Sequence, residues 1–253
     1  MAFEENQIEG VKRYIVLDEI AFKKIMSLVN VRKFDVLTNE GKIKKKIVFL
    51  DTPNNLLTTN GIIISKVIEN SKAYFIVERQ KFLPKMFRTG TEKFCKIEIN
   101  SKDKLMDHKL QVVDAITALY DTSISIDFEN ILKNALPKIE TYTNANCVRL
   151  VNGSGLRAFL FFEEITYENL ETGRKNFRLG LTVKMDCSKL YLNAFNEYIW
   201  NLERLVKELT PISENEFDYA SRVTKKIDQS TEKLKDKRKK QKKGTKEQEE
   251  SFD

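Results

Sequence analysis

The stretch FLDTPNNLLTTNGIIIS, from Phe49 to Ser65, constrains the fold more than any other part of the sequence. An apolar run stops at Asp51-Thr52-Pro53, and a second apolar run starts after Gly61. Pro53 has no backbone N–H and therefore ends a ladder of strand hydrogen bonds, while Asp51 can accept bonds from N–H groups of the turn. Gly61 can relieve crowding where the next strand begins. The stretch therefore predicts two strands joined by a polar turn.

Apolar and alternating runs elsewhere predict more strands, and apolar residues at helical spacing predict helices between them. Hairpin turns are expected at Asn70-Ser71 and at 152–155. Helices are expected after Asp18, over about 101–136, and near the C-terminus, where Ser213–Glu216 reads as a capping box. Because hairpins join most strands, we expect an α+β fold with an antiparallel eight-stranded β-tunnel, or barrel, and flanking helices.

Length and composition predict one globular domain over residues 1–224. The chain has 253 residues, of which 41% are hydrophobic. Residues 225–253 contain 11 Lys or Arg and 7 Asp or Glu, and we expect this charged tail to be disordered. No apolar run approaches the ~20 residues that span a bilayer, and no signal-peptide pattern is present, so we expect a cytoplasmic protein without membrane contact.

Several enzyme classes lack their sequence signatures in this chain. There is no phosphate-binding loop of the GxxxxGK[ST] type, no GxGxxG and no HExxH. His108 is the sole histidine and has no Ser or Cys nearby in sequence, which argues against a nucleophilic triad. Cys95, Cys147 and Cys187 are too scattered for a disulfide framework or a metal knuckle. The single tryptophan, Trp200, is expected in the core.

The order of the motifs resembles the CYTH family and its polyphosphate-polymerase relatives, the triphosphate tunnel enzymes. Four segments carry the resemblance: EGVKRYIV at 9–16, Asp51-Thr52-Pro53 with the following Gly61, FFEEITYENLETGRK at 161–175 and LTPISENEFDYASR at 209–222. Together they span most of residues 8–222.

This resemblance implies a tunnel whose inward Arg and Lys side chains bind a triphosphate, and whose glutamates hold Mg²⁺ or Mn²⁺. The matching phosphate-binding residues are Arg13, Lys66, Arg79, Lys96 and Arg149. The matching metal ligands are Glu9, Glu98 and Glu163. Taken one by one, these residues also fit an ordinary solvated strand face with ion pairs between strands.

The chain departs from the family pattern at several of its charged positions. Val11 stands in place of an acid, and Ser65 and Val67 stand in place of two arginines. Thr182 and Lys184 occupy a strand where paired glutamates are usual. We therefore expect any metal-dependent phosphohydrolase activity to be weak or specialised.

Two functions remain open from the sequence. The first is a divergent tunnel protein that binds a phosphate-rich ligand: triphosphate, polyphosphate, a nucleotide or an RNA 5′ end. The second is a non-catalytic interaction module for nucleic acid or an acidic protein partner. Lys42–Lys46 and the Lys233–Lys246 tail could contact nucleic acid, although a solvated edge strand and a solvated tail are the simpler explanation of both.

Overall fold

The computed structural model describes residues 3–6, 11–29, 34–79, 92–119, 127–152, 157–186 and 192–225. The strands are β1 (Phe3–Asn6), β2 (Val11–Val16), β3 (Phe34–Asp51), β4 (Ile62–Glu69), β5 (Lys72–Arg79), β6 (Glu92–Ile99), β7 (Leu136–Asn152), β8 (Arg157–Asn169), β9 (Arg174–Asp186) and β10 (Leu209–Pro211). The helices are α1 (Glu19–Val29), α2 (Leu56–Thr59), α3 (Lys109–Leu119), α4 (Phe128–Lys133), α5 (Leu192–Leu205) and α6 (Glu216–Lys225), and a 3₁₀ turn (Leu105–His108) precedes α3.

All the described strands belong to one sheet with the order β1-β6-β5-β4-β3-β7-β8-β9-β2-β10. Each described pair of neighbours is antiparallel. The α+β class and the antiparallel sheet are confirmed. The described sheet has ten strands rather than eight, because short end strands, β1 and β10, flank the others. Hydrogen bonds between described residues do not join β1 to β10, so they do not close a barrel.

Helices pack on both faces of the sheet. We call the face that contacts α6 the inner face and the opposite one the outer face. On the outer face, α1 and α5 cover one apolar cluster that includes Tyr14, Leu160, Leu181, Ile25 and Phe195. The 3₁₀ turn, α3 and α4 cover a second outer cluster that includes Leu50, Ile64, Phe75, Ile116 and Leu132.

The third apolar cluster lies on the inner face. Ile47 and Phe49 of β3 and Tyr167 of β8 pack there against Tyr219 and Val223 of α6. Because side chains alternate along a strand, the residues between these positions point to the outer clusters. This division places each predicted site residue on one face or the other.

The turn after β3 is built around a buried carboxylate, as predicted. Asp51 is 1% exposed. Its Oδ1 accepts the N–H groups of Thr52 (2.7 Å) and Leu57 (2.9 Å), and its Oδ2 accepts the N–H and hydroxyl of Thr58 (3.2 and 2.7 Å). Gly61 has φ +73°, a left-handed backbone conformation that glycine adopts without steric cost.

Three local predictions were wrong at the level of single residues. Trp200 is 60% exposed, and its ring lies 4.9 Å from the Arg204 guanidinium, because α5 packs through its Phe195 side. The α6 cap is Asn215, whose Oδ1 accepts the N–H of Asp218 at 2.7 Å, rather than Ser213. The last helix of the expected 101–136 segment ends at Lys133, and Leu136 already belongs to β7. Pro137 also lies in β7, opposite Leu50 beside a register shift, where a missing N–H is tolerated.

Glu9 and residues 226–253 lie outside the described residues. The metal ligand expected at Glu9 and the disorder expected for most of the tail therefore stay predictions. In the described part of the chain, no helix is both long and apolar enough to span a bilayer.

We predict that Asp51→Ala lowers the free energy of unfolding by about 3 kcal/mol, since it removes a buried acceptor from four donors and each bond to a charged group contributes ~1.5–3 kcal/mol. Urea denaturation of the purified protein measures this. Asp114→Ala, on an exposed position of α3, is the control and should change stability by less than about 0.5 kcal/mol. A loss below about 1 kcal/mol for Asp51→Ala would contradict this role.

Candidate functional site

Two cations on the inner face converge on one carboxylate oxygen. The Arg13 Nη1 atom of β2 and the Lys45 Nζ atom of β3 each lie 3.9 Å from Oε2 of Glu216, the first residue of α6. In the sheet order, β2 and β3 are separated by β7, β8 and β9. Four strand spacings amount to roughly 19 Å in a flat sheet. The two cations thus reach Glu216 from strands that are far apart in the sheet order.

Glu163 of β8 is the second acidic residue of this cluster. Its Oε2 accepts the hydroxyl of Thr182 at 2.9 Å. Gly180 of β9 faces it in register, and a Cβ there would lie 3.1 Å from the same Oε2 and 2.9 Å from Cδ1 of Ile165. The absence of a side chain at Gly180 thus leaves the space that the Glu163 carboxylate occupies.

Burial raises the pKa of Glu163 to about 7. That value includes a smaller increase from the nearby Glu216 carboxylate. It also includes the decreases caused by the Thr182 hydrogen bond and by the positive charges of Lys45 and Arg13. Loss of hydration is the larger effect, since the carboxylate is largely enclosed by protein. Near neutral pH, Glu163 therefore carries a proton for part of the time.

Two rows of inner-face residues run across the sheet next to this cluster, and the first row includes Arg13. In one, Arg13 is in register with Thr182, and Thr182 with Phe161. In the next, Lys184 is in register with Phe159, and Phe159 with Arg149. The described residues of β2, β9, β8 and β7 in these two rows include three cations and no acidic side chain. The rows are therefore a cationic part of the inner face.

The structure places five of the predicted site residues on the inner face: Arg13, Lys96, Arg149, Glu98 and Glu163. It brings Arg13 and Glu163 into one cluster. Lys96 and Glu98 lie on β6, where the Lys96 Nζ atom sits 4.2 Å from the centre of the Tyr74 ring. Their strand is separated from β3 by β5 and β4 in the sheet order.

Lys66 and Arg79 lie on the outer face instead. Lys66 Nζ donates to the carbonyls of Ser101 (2.9 Å) and Asp103 (2.5 Å), and so anchors the segment before α3. Arg79 Nη1 donates to the carbonyl of Leu119 (3.2 Å), at the last residue of α3. Both side chains hold the outer helices onto the sheet, and neither is brought to the Arg13 cluster.

The lysines of Lys42–Lys46 do not form a single patch. Lys45 points to the inner face and contacts Glu216. Its neighbour Lys46 points to the outer face, where Nζ lies 2.9 Å from Glu140 Oε1 and 4.9 Å from the centre of the Tyr142 ring. Strand alternation therefore turns Lys45 away from Lys42, Lys44 and Lys46, which share the parity of the outer face. No finding supports a nucleic-acid contact through these residues.

Sequence reasoning missed Lys45 and Glu216 as site residues. Lys45 could have been predicted, because it lies two and four residues before Ile47 and Phe49 on the same strand. Side chains at such spacing point to the same face, and those of Ile47 and Phe49 face α6. Glu216 had none, because it was read as part of a capping box and its position depends on how α6 docks on the sheet. Long-range packing of this kind is not encoded in local spacing.

The described residues do not form a divalent-metal site from protein side chains alone. No group of three or more His, Cys, Asp or Glu side chains gathers within the described ranges. We therefore derive no chemical step through Mg²⁺ or Mn²⁺.

Comparisons with known proteins yield structural likeness only. No family model and no curated protein matches the chain. Among solved structures, a Hippeastrum protein described as having a dominant triphosphatase activity is 9% identical, with 86% of this chain and 98% of that chain covered and a TM-score of 0.47. A candidate adenylate cyclase from Bacillus halodurans is 10% identical, with coverages of 83% and 96% and a TM-score of 0.45. The Mimivirus capping enzyme triphosphatase is 9% identical, with coverages of 78% and 90% and a TM-score of 0.33.

Identities near 10% with TM-scores below 0.5 do not carry a function to this chain. What it binds has to be inferred from its own residues.

We predict that the stability of the wild-type protein falls as pH rises from 4.5 to about 7, the ordinary and raised pKa values of Glu163. The native state holds a proton that the unfolded state releases, so its advantage is full below pH 4.5 and is lost by about pH 7. The shift corresponds to at most roughly 3 kcal/mol. Glu163→Gln should flatten this part of a pH series of urea denaturations.

The control for that series is Glu164→Gln, an exposed neighbour on the outer face, which should leave the pH dependence unchanged. An identical pH dependence in Glu163→Gln and the wild type would show that Glu163 ionises normally.

Proposed function

We propose that the inner face binds a phosphate-rich anion such as triphosphate, polyphosphate or a nucleotide. The observation that carries this proposal is the convergence of Arg13 and Lys45 on one oxygen atom of Glu216. An oxygen of a phosphate group placed there would contact the same two cations. Arg149 and Lys184, on the neighbouring cationic rows, would then bind further phosphate oxygens.

The existing contacts to Glu216 are weak enough to be replaced. Both distances are 3.9 Å, longer than a hydrogen bond, and the three side chains keep 31–37% of their exposure. Ion pairs this exposed contribute about 0.2–1 kcal/mol. A triphosphate brings more negative charge and more acceptor oxygens than one carboxylate, so it would displace the Glu216 side chain.

Weak or specialised phosphohydrolase activity follows from the same residues. Arg13 and Lys45 can hold an anion and stabilise charge that develops on it. The described acidic residues do not form a group of three or more that could hold a divalent ion by themselves, and Glu9, the remaining expected ligand, lies outside the described ranges. The chain's own residues therefore support binding more strongly than fast metal-dependent hydrolysis.

We predict that Lys45→Gln weakens tripolyphosphate binding by about tenfold, since one charge-assisted hydrogen bond contributes ~1.5–3 kcal/mol and 1.4 kcal/mol is tenfold in affinity. Isothermal titration calorimetry of the full chain, with and without Mg²⁺, measures the dissociation constant. Lys46→Gln is the matched control, because it removes the same charge from the next residue on the outer face.

Equal effects of Lys45→Gln and Lys46→Gln would show that only net charge matters and would contradict a site on the inner face. Absence of tripolyphosphate binding to the wild type would overturn the proposal itself. The non-catalytic interaction module, with nucleic acid or an acidic protein as its partner, would then be the function to test.

A further inference from the structure

One row of residues on the outer face, which we call the apolar row, carries apolar side chains that the described core does not use. Across β4, β3, β7, β8 and β9 this row contains, in register, Ile68, Lys46, Tyr142, Thr166 and Phe177. Phe177 is 56% exposed, Tyr142 is 39% exposed, and Ile68 is partly exposed. None of these three belongs to an apolar cluster formed by described residues. Packing among those residues therefore does not account for them.

The adjacent row, which we call the charged row, changes sign across the sheet. Lys44 of β3, Asn144 of β7 and Glu164 of β8 are in register, and all three are exposed. Among the described residues, neither Lys44 nor Glu164 forms an ion pair. From β3 to β8 the charged row is therefore positive, neutral and negative.

A second copy of the chain carries the pattern that is complementary to the charged row. In a face-to-face pair with a two-fold axis along β7, each row stays in place and the strands on either side of β7 are exchanged, because the axis is parallel to the strands. Lys44 of one copy then faces Glu164 of the other, and a second, identical pair forms by symmetry. Asn144 lies on the axis, where two amide groups can hydrogen bond to each other.

The same two-fold axis also matches the apolar row to itself. Phe177 and Ile68 lie two strands from β7 on opposite sides, so the ring of one copy faces Ile68 of the other. Tyr142 lies on β7 itself, where the two phenol rings can stack. A single symmetry operation thus pairs opposite charges in one row and apolar groups in the other, as an interface between identical surfaces requires.

We propose that this part of the outer face binds a second copy of the chain, in a two-fold dimer whose axis runs along β7. Two carboxylates beside the rows, those of Glu140 and Glu168, are already paired within each copy. Glu140 pairs with Lys46 at 2.9 Å, and Glu168 pairs with Lys175 at 3.1 Å. They therefore add little repulsion between the copies.

The proposed interface is small, which fixes the strength of the dimer. Four strand spacings span roughly 19 Å, and two neighbouring rows are roughly 7 Å apart. A standard interface buries about 800 Å² on each partner, well above what two such rows provide. The dimer is therefore weak, dissociated in dilute solution and formed in concentrated protein. It uses the face opposite to the anion site and does not depend on the proposed function.

The test is a charge exchange, measured by sedimentation equilibrium of the full chain from about 10 µM to about 1 mM. We expect a monomer–dimer equilibrium for the wild type. Lys44→Glu and Glu164→Lys should each weaken the dimer about tenfold, because each turns two attractive pairs into repulsive ones. Lys44→Glu/Glu164→Lys restores both pairs with their signs exchanged, and its dissociation constant should return to within about threefold of the wild type.

Lys72→Glu is the matched control, because it reverses an exposed lysine on the inner face of β5, and it should change the dissociation constant by less than about twofold. A wild type that stays monomeric over the whole range would overturn the inference. A dimer that neither single reversal weakens would also overturn it, since another surface would then form the contact. If both single reversals weakened the dimer and the double variant did not recover, Lys44 and Glu164 would not face each other, and the arrangement about β7 would be wrong.

Discussion

Strand alternation in a sheet with helices on both faces is the constraint on which the other features depend. Alternate described residues of β3, β7 and β8 pack under the outer helices, and the residues between them point to the inner face, part of which α6 covers. Where α6 packs, the inner face is apolar, with Phe49 and Tyr167 among its residues. At the first turn of α6 the inner face becomes polar, and there Arg13, Lys45, Glu163 and Glu216 meet. The position of α6 thus divides the inner face into a packed part and a charged part.

The charged part combines two opposing electrostatic effects. Burial disfavours the ionised form of Glu163, whereas Arg13 and Lys45 favour it, and burial has the larger effect on its pKa. Glu216 is more exposed and forms the ion pairs instead. When Glu163 is protonated, two cations face one ionised carboxylate. The local balance is then positive, which favours an anionic ligand over a cationic one.

Much of the fold followed from the sequence, and the reason is local chemistry. Asp51, Pro53 and Gly61 act through bonds and backbone angles within a few residues. Their places in the turn could therefore be predicted from the sequence, whereas the left-handed conformation of Gly61 was not predicted. Alternating patterns identified the strands that carry Arg13 and Lys96. The extension of β7 back to Leu136 was missed, because its polar residues at 140–146 do not resemble a buried strand.

The candidate site was predictable only in part, because it depends on contacts between distant segments. Arg13 and Glu163 were identified through the resemblance, and Lys45 could have been found from its parity. Glu216 reaches the site because α6 docks on the inner face, and no local pattern indicates that docking. Lys66 and Arg79 were expected in the site, yet they bond backbone carbonyls around α3, since their strand positions point outward.

The most direct measurement of the central claim is the tripolyphosphate dissociation constant of Glu216→Gln, with Glu214→Gln as its control. Glu214 precedes α6, and its carboxylate pairs with Arg222 of that helix (3.0 Å). If phosphate and Glu216 compete for the same two cations, Glu216→Gln should bind tripolyphosphate about three- to tenfold more tightly, in keeping with the weak ion pairs that are removed. Glu214→Gln should stay within about twofold of the wild type. Unchanged or weaker binding by Glu216→Gln would contradict the account.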